Sequence, residues 1–185
     1  MKRVVATAAA AALLAFLPDV LVGEDAPPAL SVGDEVAMFY VKDVTGPAAG
    51  KQLCYRCRYG DQPVVAVFTR RMTDEVTALV DEIDGLVDQH MQEDLAAFVV
   101  LMDDDPVNRE DELKRLAREK GVDNVPLTTF DDVYGPRSYR LERDADVTVM
   151  MWVDRKVRFN RSFANKELTE ESIAELIAET ATILE

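Results

Sequence analysis

Between Pro63 and Met102 the hydrophobic period of the chain changes twice, and that change limits the folds open to it. PVVAVF (63–68) is a continuous, valine-rich apolar run, the pattern of a strand covered on both faces. From Thr73 onward the apolar residues Val76, Leu79, Val80, Ile83, Leu86, Val87 and Met91 recur at helical spacing. Thr73 is placed to cap that helix, with Asp74 and Glu75 in its first turn. LAAFVVLM (95–102) is then a second buried run. Two doubly covered strands joined by an amphipathic helix form a parallel pair with a crossover, so the chain must build a sheet with helices on it.

The flanking segments extend this plan. VAMFYVKD (36–43) reads as a strand, 109–120 as a charged helix stopped by Gly121, VPLTTF (125–130) as a third buried strand and GPRSYRL as a single helical turn. DVTVMMWV (146–153) and KVRFNRSF (156–163) are close enough to pair as an antiparallel hairpin. In its second strand, alternation puts Val157, Phe159 and Phe163 on one face and Arg158, Asn160 and Ser162 on the other. A last helix begins at Thr169 and turns Ile173, Leu176, Ile177 and Leu184 inward. The expected fold class is α/β, a three-layer sandwich with a central mixed sheet flanked by helices. With 185 residues, 48% of them hydrophobic, the chain can bury one core, and 36–185 reads as one domain.

Lys2 and Arg3 precede an apolar run over 4–17 and then Pro18. The run is shorter than the roughly 20 residues of a membrane span, so 1–23 reads as a signal peptide for export to a periplasmic or extracellular space. Leu21 stands where the cleavage pattern has a small residue. An uncleaved N-terminal anchor is therefore the alternative, and the only route by which a membrane enters. Residues 24–35, EDAPPALSVGDE, read as a linker. The whole chain carries a net charge of −14, and the part beyond residue 23 has 19 basic against 34 acidic residues. Such a surface repels phosphate backbones and argues against nucleic-acid binding.

Both cysteines lie in KQLCYRCRYG (51–60), as Cys54 and Cys57. Three readings stay open for this C-x-x-C. As a redox dithiol, the pair would exchange with a thiol or disulfide of a protein partner, and Arg56 and Arg58 would favour the thiolate. As a structural disulfide, it would pin a loop, although so small a ring removes little unfolded-state entropy. As half of a tetrahedral zinc site, it would need two more ligands, from a second copy or a borrowed residue. Arg58 stands where covalent haem attachment needs a histidine. No Gly-rich phosphate loop appears, and no cofactor is expected.

The order of elements resembles the thioredoxin-like superfamily, and within it the peroxiredoxin-type branch (redoxin, AhpC/TSA-like). The residues carrying the resemblance are VGDEVAMFYVKDVTGPAAGK, PVVAVF before a long helix, AFVVLMDDD before a helix ending AREKGV, the VTVMMWVDRKV hairpin and the closing helix. It spans about residues 32–184. The resemblance implies a reactive cysteine just after PVVAVF, but this chain has TRRMTDEV (69–76) there, with no cysteine and no threonine-x-x-cysteine. It also implies a cis-proline before DVTVMMWV, where Asp144, Ala145 and Asp146 stand, while Pro126 opens the preceding strand. The C-x-x-C is thus displaced upstream. Dithiol exchange is the expected activity, peroxide reduction a lesser variant, and a non-catalytic partner- or metal-binding domain the alternative.

The remaining candidates have plainer readings. His90, the only histidine, falls at a helix end beside the apolar stripe and reads as a partly buried helix-end residue, with a ligand or base role as the alternative. Asp103, Asp104 and Asp105 end one strand and Asp131 and Asp132 another, so parallel pairing would gather carboxylates at one edge for calcium or magnesium; ordinary solvated strand ends are the simpler account. Arg70 and Arg71 stand where the reactive cysteine is absent and would suit an anion or a solvated loop. Met150, Met151 and Trp152 read as core.

Overall fold

The computed structural model describes residues 28–164 and 166–184. The expected signal peptide or anchor over 1–23, and the start of the linker, lie outside the described residues. In chain order the elements are β1 (Val41–Asp43), β2 (Gln52–Leu53), α1 (Tyr55–Tyr59), β3 (Val64–Thr69), α2 (Asp74–Gln89), β4 (Ala96–Met102), α3 (Glu110–Lys120), β5 (Leu127–Phe130), β6 (Val147–Val153), β7 (Lys156–Phe163), α4 (Glu170–Glu179) and α5 (Ala181–Leu184). One-turn 3-10 helices cover 91–93, 106–109 and 137–139.

The strands form one seven-stranded sheet in the order β2-β1-β5-β4-β3-β6-β7. Its centre, β5-β4-β3, is parallel, as crossovers through α2 and α3 require. β6 and β7 continue it antiparallel on one side and β1 and β2 on the other. The edges are kept from further pairing by brevity at β2 and by Lys156, Arg158 and Arg161 along β7.

The two sheet faces have separate cores. Val65, Val67, Val99, Leu101, Val149 and Met151 pack beneath α2, α3, α4 and α5, whose inner residues include Leu79, Ile83, Leu113, Leu176 and Ile183. Ala66, Phe68, Phe98, Val100, Met150 and Trp152 face the other way and are covered by α1, the extended chain from Leu30 to Val41 and the turn at Tyr139. This second core is aromatic: Phe39 meets Tyr139 edge-on at 4.8 Å, and Phe98 meets Trp152 edge-on at 6.1 Å. Met150, Met151 and Trp152 are buried as read from the sequence.

The helix caps follow the sequence signals. Thr73 Oγ1 accepts from Val76 N–H, Gly121 takes the left-handed conformation after α3, and Thr169 forms a capping box with Ser172. Three expectations need correction. Only 41–43 of the stretch 36–43 is a paired strand; before it, Glu35 bridges Lys156 and Val36 N–H donates to the Arg155 carbonyl, which hold the chain flat across the sheet without a ladder. Within the stretch read as a linker, Leu30 is buried and its carbonyl accepts from Asn160. In β7, Val157 does not share a face with Phe159 and Phe163. Met151 pairs with Phe159 and Trp152 with Val157, so Arg158 is the extra residue of a bulge and the alternation inverts there.

Candidate functional site

Cys54 and Cys57 are joined by a disulfide, with Cα atoms 5.2 Å apart. The stretch holding them is a short helix, which sequence patterning does not reveal: five residues are too few for a period to appear. Cys54 is its N-cap, and its Sγ accepts a hydrogen bond of 3.1 Å from the Cys57 backbone N–H. Cys54 is buried at 4% exposure, whereas Cys57 is exposed.

Tertiary contacts hold α1 in place. The Tyr55 ring stacks on Phe98 with centroids 5.0 Å apart, and Tyr59 donates its hydroxyl to the Ala97 carbonyl. Both contacts fall on the N-terminal half of β4. The disulfide is therefore at the opposite end of the sheet from the loop 69–76, where the redoxin resemblance places its cysteine.

Beneath α1, the buried Asp43 carboxylate accepts from Gly46 N–H at 2.8 Å and Ala48 N–H at 2.6 Å, tying the loop after β1 into a turn. The Tyr55 hydroxyl is buried beside that carboxylate without an aligned hydrogen bond to it. Burial first, and then the neighbouring Asp43 charge, push the Tyr55 phenol far above its usual range. Burial does the same to Tyr59, against an opposing effect of Arg58.

The charged residues nearby are mostly paired. Arg56 donates to the Val36 carbonyl and meets Glu35 at 3.1 Å, so it serves the docking of the extended chain. Arg155 meets Asp61 at 2.6 Å and holds that carboxyl below its usual range. Arg58 is exposed; its backbone N–H donates to the Cys54 carbonyl, and its guanidinium makes no ion pair or hydrogen bond among the described residues.

The other candidates resolve into structural roles. Arg70 donates to the carbonyls of Val133 and Glu142, and Arg71, at the surface, pairs with Asp146 at 2.9 Å. β4 and β5 are parallel neighbours, but Asp103 accepts from Asp105 N–H and from Arg109, Asp105 from Asn108, and Asp132 from Tyr134 N–H. These are turn-closing bonds, and they hold the Asp103 carboxyl below its usual range. No group of three or more His, Cys, Asp or Glu side chains converges as a metal site among the described residues. His90 caps the end of α2, half-buried, with Nδ1 3.7 Å from Glu93. Sulfurs bonded to each other are not zinc ligands, so the paired state excludes the half-site reading for as long as it persists.

No family model matches this sequence, and no curated protein does. Solved structures do match in shape. PrxQ of Xylella fastidiosa, in a Cys-to-Ser variant, superimposes with a TM-score of 0.66 at 11% identity, over 86% of this chain and 100% of that one. Peroxidoxin BcpB of Mycobacterium tuberculosis gives 0.60 at 23% identity, over 83% and 96%. A protein designated thiol:disulfide interchange protein DsbE, from Chlorobium tepidum, gives 0.61 at 12% identity, over 82% and 99%. The chain has the thioredoxin-like fold, in the form shared by redoxins and by that DsbE protein.

Proposed function

We propose that this protein is an exported thiol–disulfide oxidoreductase acting on a protein partner through Cys54 and Cys57. The observation that carries the reading is a C-x-x-C disulfide with one cysteine at the surface, held at a helix start on a thioredoxin-like fold. Disulfide exchange needs an accessible sulfur, a second sulfur within bonding distance and a scaffold that keeps the two together; all three are present. The N-terminal pattern supports export to an oxidising compartment, where such a pair cycles or persists. One of the similar structures is designated a thiol:disulfide interchange protein and another a protein disulfide isomerase. Peroxide reduction has less behind it, because 69–76 contains no cysteine.

A second reading has its own support: the pair lies away from the C-terminal edge of the sheet and Cys54 is buried. On that reading the disulfide pins α1 and the domain binds a partner without turnover.

Catalysed reduction of a protein disulfide by dithiothreitol separates the two. The oxidoreductase accelerates the reaction, and the double variant Cys54→Ser, Cys57→Ser does not. A wild-type protein with no effect, whatever the partner disulfide offered, supports the pinning role.

A further inference from the structure

Resting on the exchange reading, we infer that Cys57 is the sulfur that meets the partner and Cys54 the sulfur that leaves and returns. Cys54 is 4% exposed, enclosed beneath α1, while Cys57 faces solvent. Attack on a disulfide runs along the S–S axis, so an incoming sulfur reaches only the sulfur whose far side is open. That is Cys57. The Cys57 backbone N–H already points at Cys54 Sγ across 3.1 Å. When the bond breaks toward Cys54, the negative charge develops where that donor stands, and no group has to move to receive it.

A partner thiolate attacks Cys57 Sγ, the S–S electron pair passes to Cys54 Sγ as thiolate, and a partner–Cys57 mixed disulfide forms. A second partner thiolate then attacks the partner sulfur of that bond and expels Cys57 as thiolate. Two electrons have moved from the partner dithiol to the pair, and the partner leaves as a disulfide. In the other direction Cys57 thiolate attacks the partner disulfide and Cys54 thiolate resolves the intermediate.

Brief alkylation of the fully reduced wild-type protein with iodoacetamide, followed by peptide mass analysis, tests the assignment without any variant. Cys57 is expected to react about tenfold faster than Cys54, as access demands. Equal rates, or faster labelling of Cys54, overturn it. In Cys54→Ser, the remaining Cys57 thiolate should attack the disulfide 5,5′-dithiobis(2-nitrobenzoate), forming a stable mixed disulfide and releasing one 5-thio-2-nitrobenzoate, at a rate that Cys57→Ser, through Cys54, does not approach. A protein that turns over protein disulfides but labels at Cys54 refutes only this polarity. A protein that labels at Cys57 but shows no turnover refutes the exchange reading instead.

An independent observation assigns the partner's charge. Residues 44–60 contain Lys51, Arg56 and Arg58 and no carboxylate, inside a chain of net charge −14. Of the acids on neighbouring segments, Glu35 is engaged by Arg56, Asp61 by Arg155, which Asp154 also neighbours, and Asp43 is buried under two amide donors. Arg58, next to Cys57, is left exposed and unpaired among the described residues. The surface at the reactive sulfur is therefore a positive spot on an acidic protein, suited to a disulfide flanked by anionic groups. Reaction rates of the reduced protein with glutathione disulfide and with cystamine, each divided by the rate of free dithiothreitol with the same reagent, read this preference. At low salt the anionic disulfide is expected to be favoured about fivefold, with the preference lost in Arg58→Glu and reduced by added salt. Equal normalised rates, or a preference for cystamine, contradict it.

Discussion

The Tyr55 ring lies nearly parallel to that of Phe98, 14° from coplanar, and this stack is what fixes the cysteine-bearing helix to the sheet. A five-residue helix has no stability of its own. Its position is borrowed from the aromatic core through the one fully buried residue between the two cysteines. Replacing Tyr55 with Ala is expected to cost about 3 kcal/mol, the usual range for deleting a buried aromatic. In urea unfolding this appears as a lower midpoint. In the reduced variant Cys54 should also become alkylatable, because the helix it caps is no longer anchored to the sheet. Tyr55→Phe keeps the stack and should cost about 1 kcal/mol or less.

Gly46 and Gly85 make a pair of opposite expectations. A Cβ on Gly46 would stand 2.7 Å from Asp43 Oδ1, 2.8 Å from Pro126 Cβ and closer still to the Tyr55 hydroxyl. Gly46→Ala is therefore expected to destabilise the protein by about 1–3 kcal/mol, as overpacking does. Gly85, exposed within α2, has nothing near the added methyl. Gly85→Ala should stabilise by up to about 1 kcal/mol through helix propensity. Midpoints of denaturant unfolding measured side by side decide both.

Asp84 links α2 to the entry of β5. Its carboxylate accepts from Asn124 N–H at 2.7 Å, Val125 N–H at 2.9 Å and the Asn124 side chain at 3.1 Å. Asp84→Ala leaves a buried amide without a partner, and a loss of about 1–3 kcal/mol is expected. Asp84→Asn, which keeps one acceptor, should lose less.

Three tyrosines set the alkaline limit. Burial holds the phenols of Tyr55, Tyr59 and Tyr139 above the ordinary value of 10.0. A folded-state pKa above the unfolded one means that the folded form retains protons the unfolded form gives up. The stabilisation is thus complete below about pH 10 and lost as pH rises beyond it. Phenolate absorbance followed together with circular dichroism should show these three groups ionising only as the secondary structure collapses.

The parts of the fold readable in the sequence were those where burial imposes a period. β3 and β4, covered on both faces, are unbroken apolar runs, and α2 declares itself through Thr73 and a stripe from Val76 to Val87. What was hidden depends on distant partners. α1 exists because Tyr55 and Tyr59 dock on β4, about forty residues away in the chain. The inversion along β7 comes from a bulge at Arg158 that no alternation can announce. At the site, the spacing of Cys54 and Cys57 was visible and left three chemistries open. The burial of one sulfur and the exposure of the other are properties of the packed helix. Arg70 illustrates the same limit, since the carbonyls that hold it belong to Val133 and Glu142.

If Cys54 and Cys57 are a working redox couple, their redox equilibrium must show it. The protein would be poised in graded thiol–disulfide buffers, its free thiols alkylated and its mass read. A reversible two-electron transition between roughly −120 and −270 mV, the range of disulfide exchange proteins, is expected. A disulfide that persists below about −300 mV would contradict it and mark the pair as a structural staple.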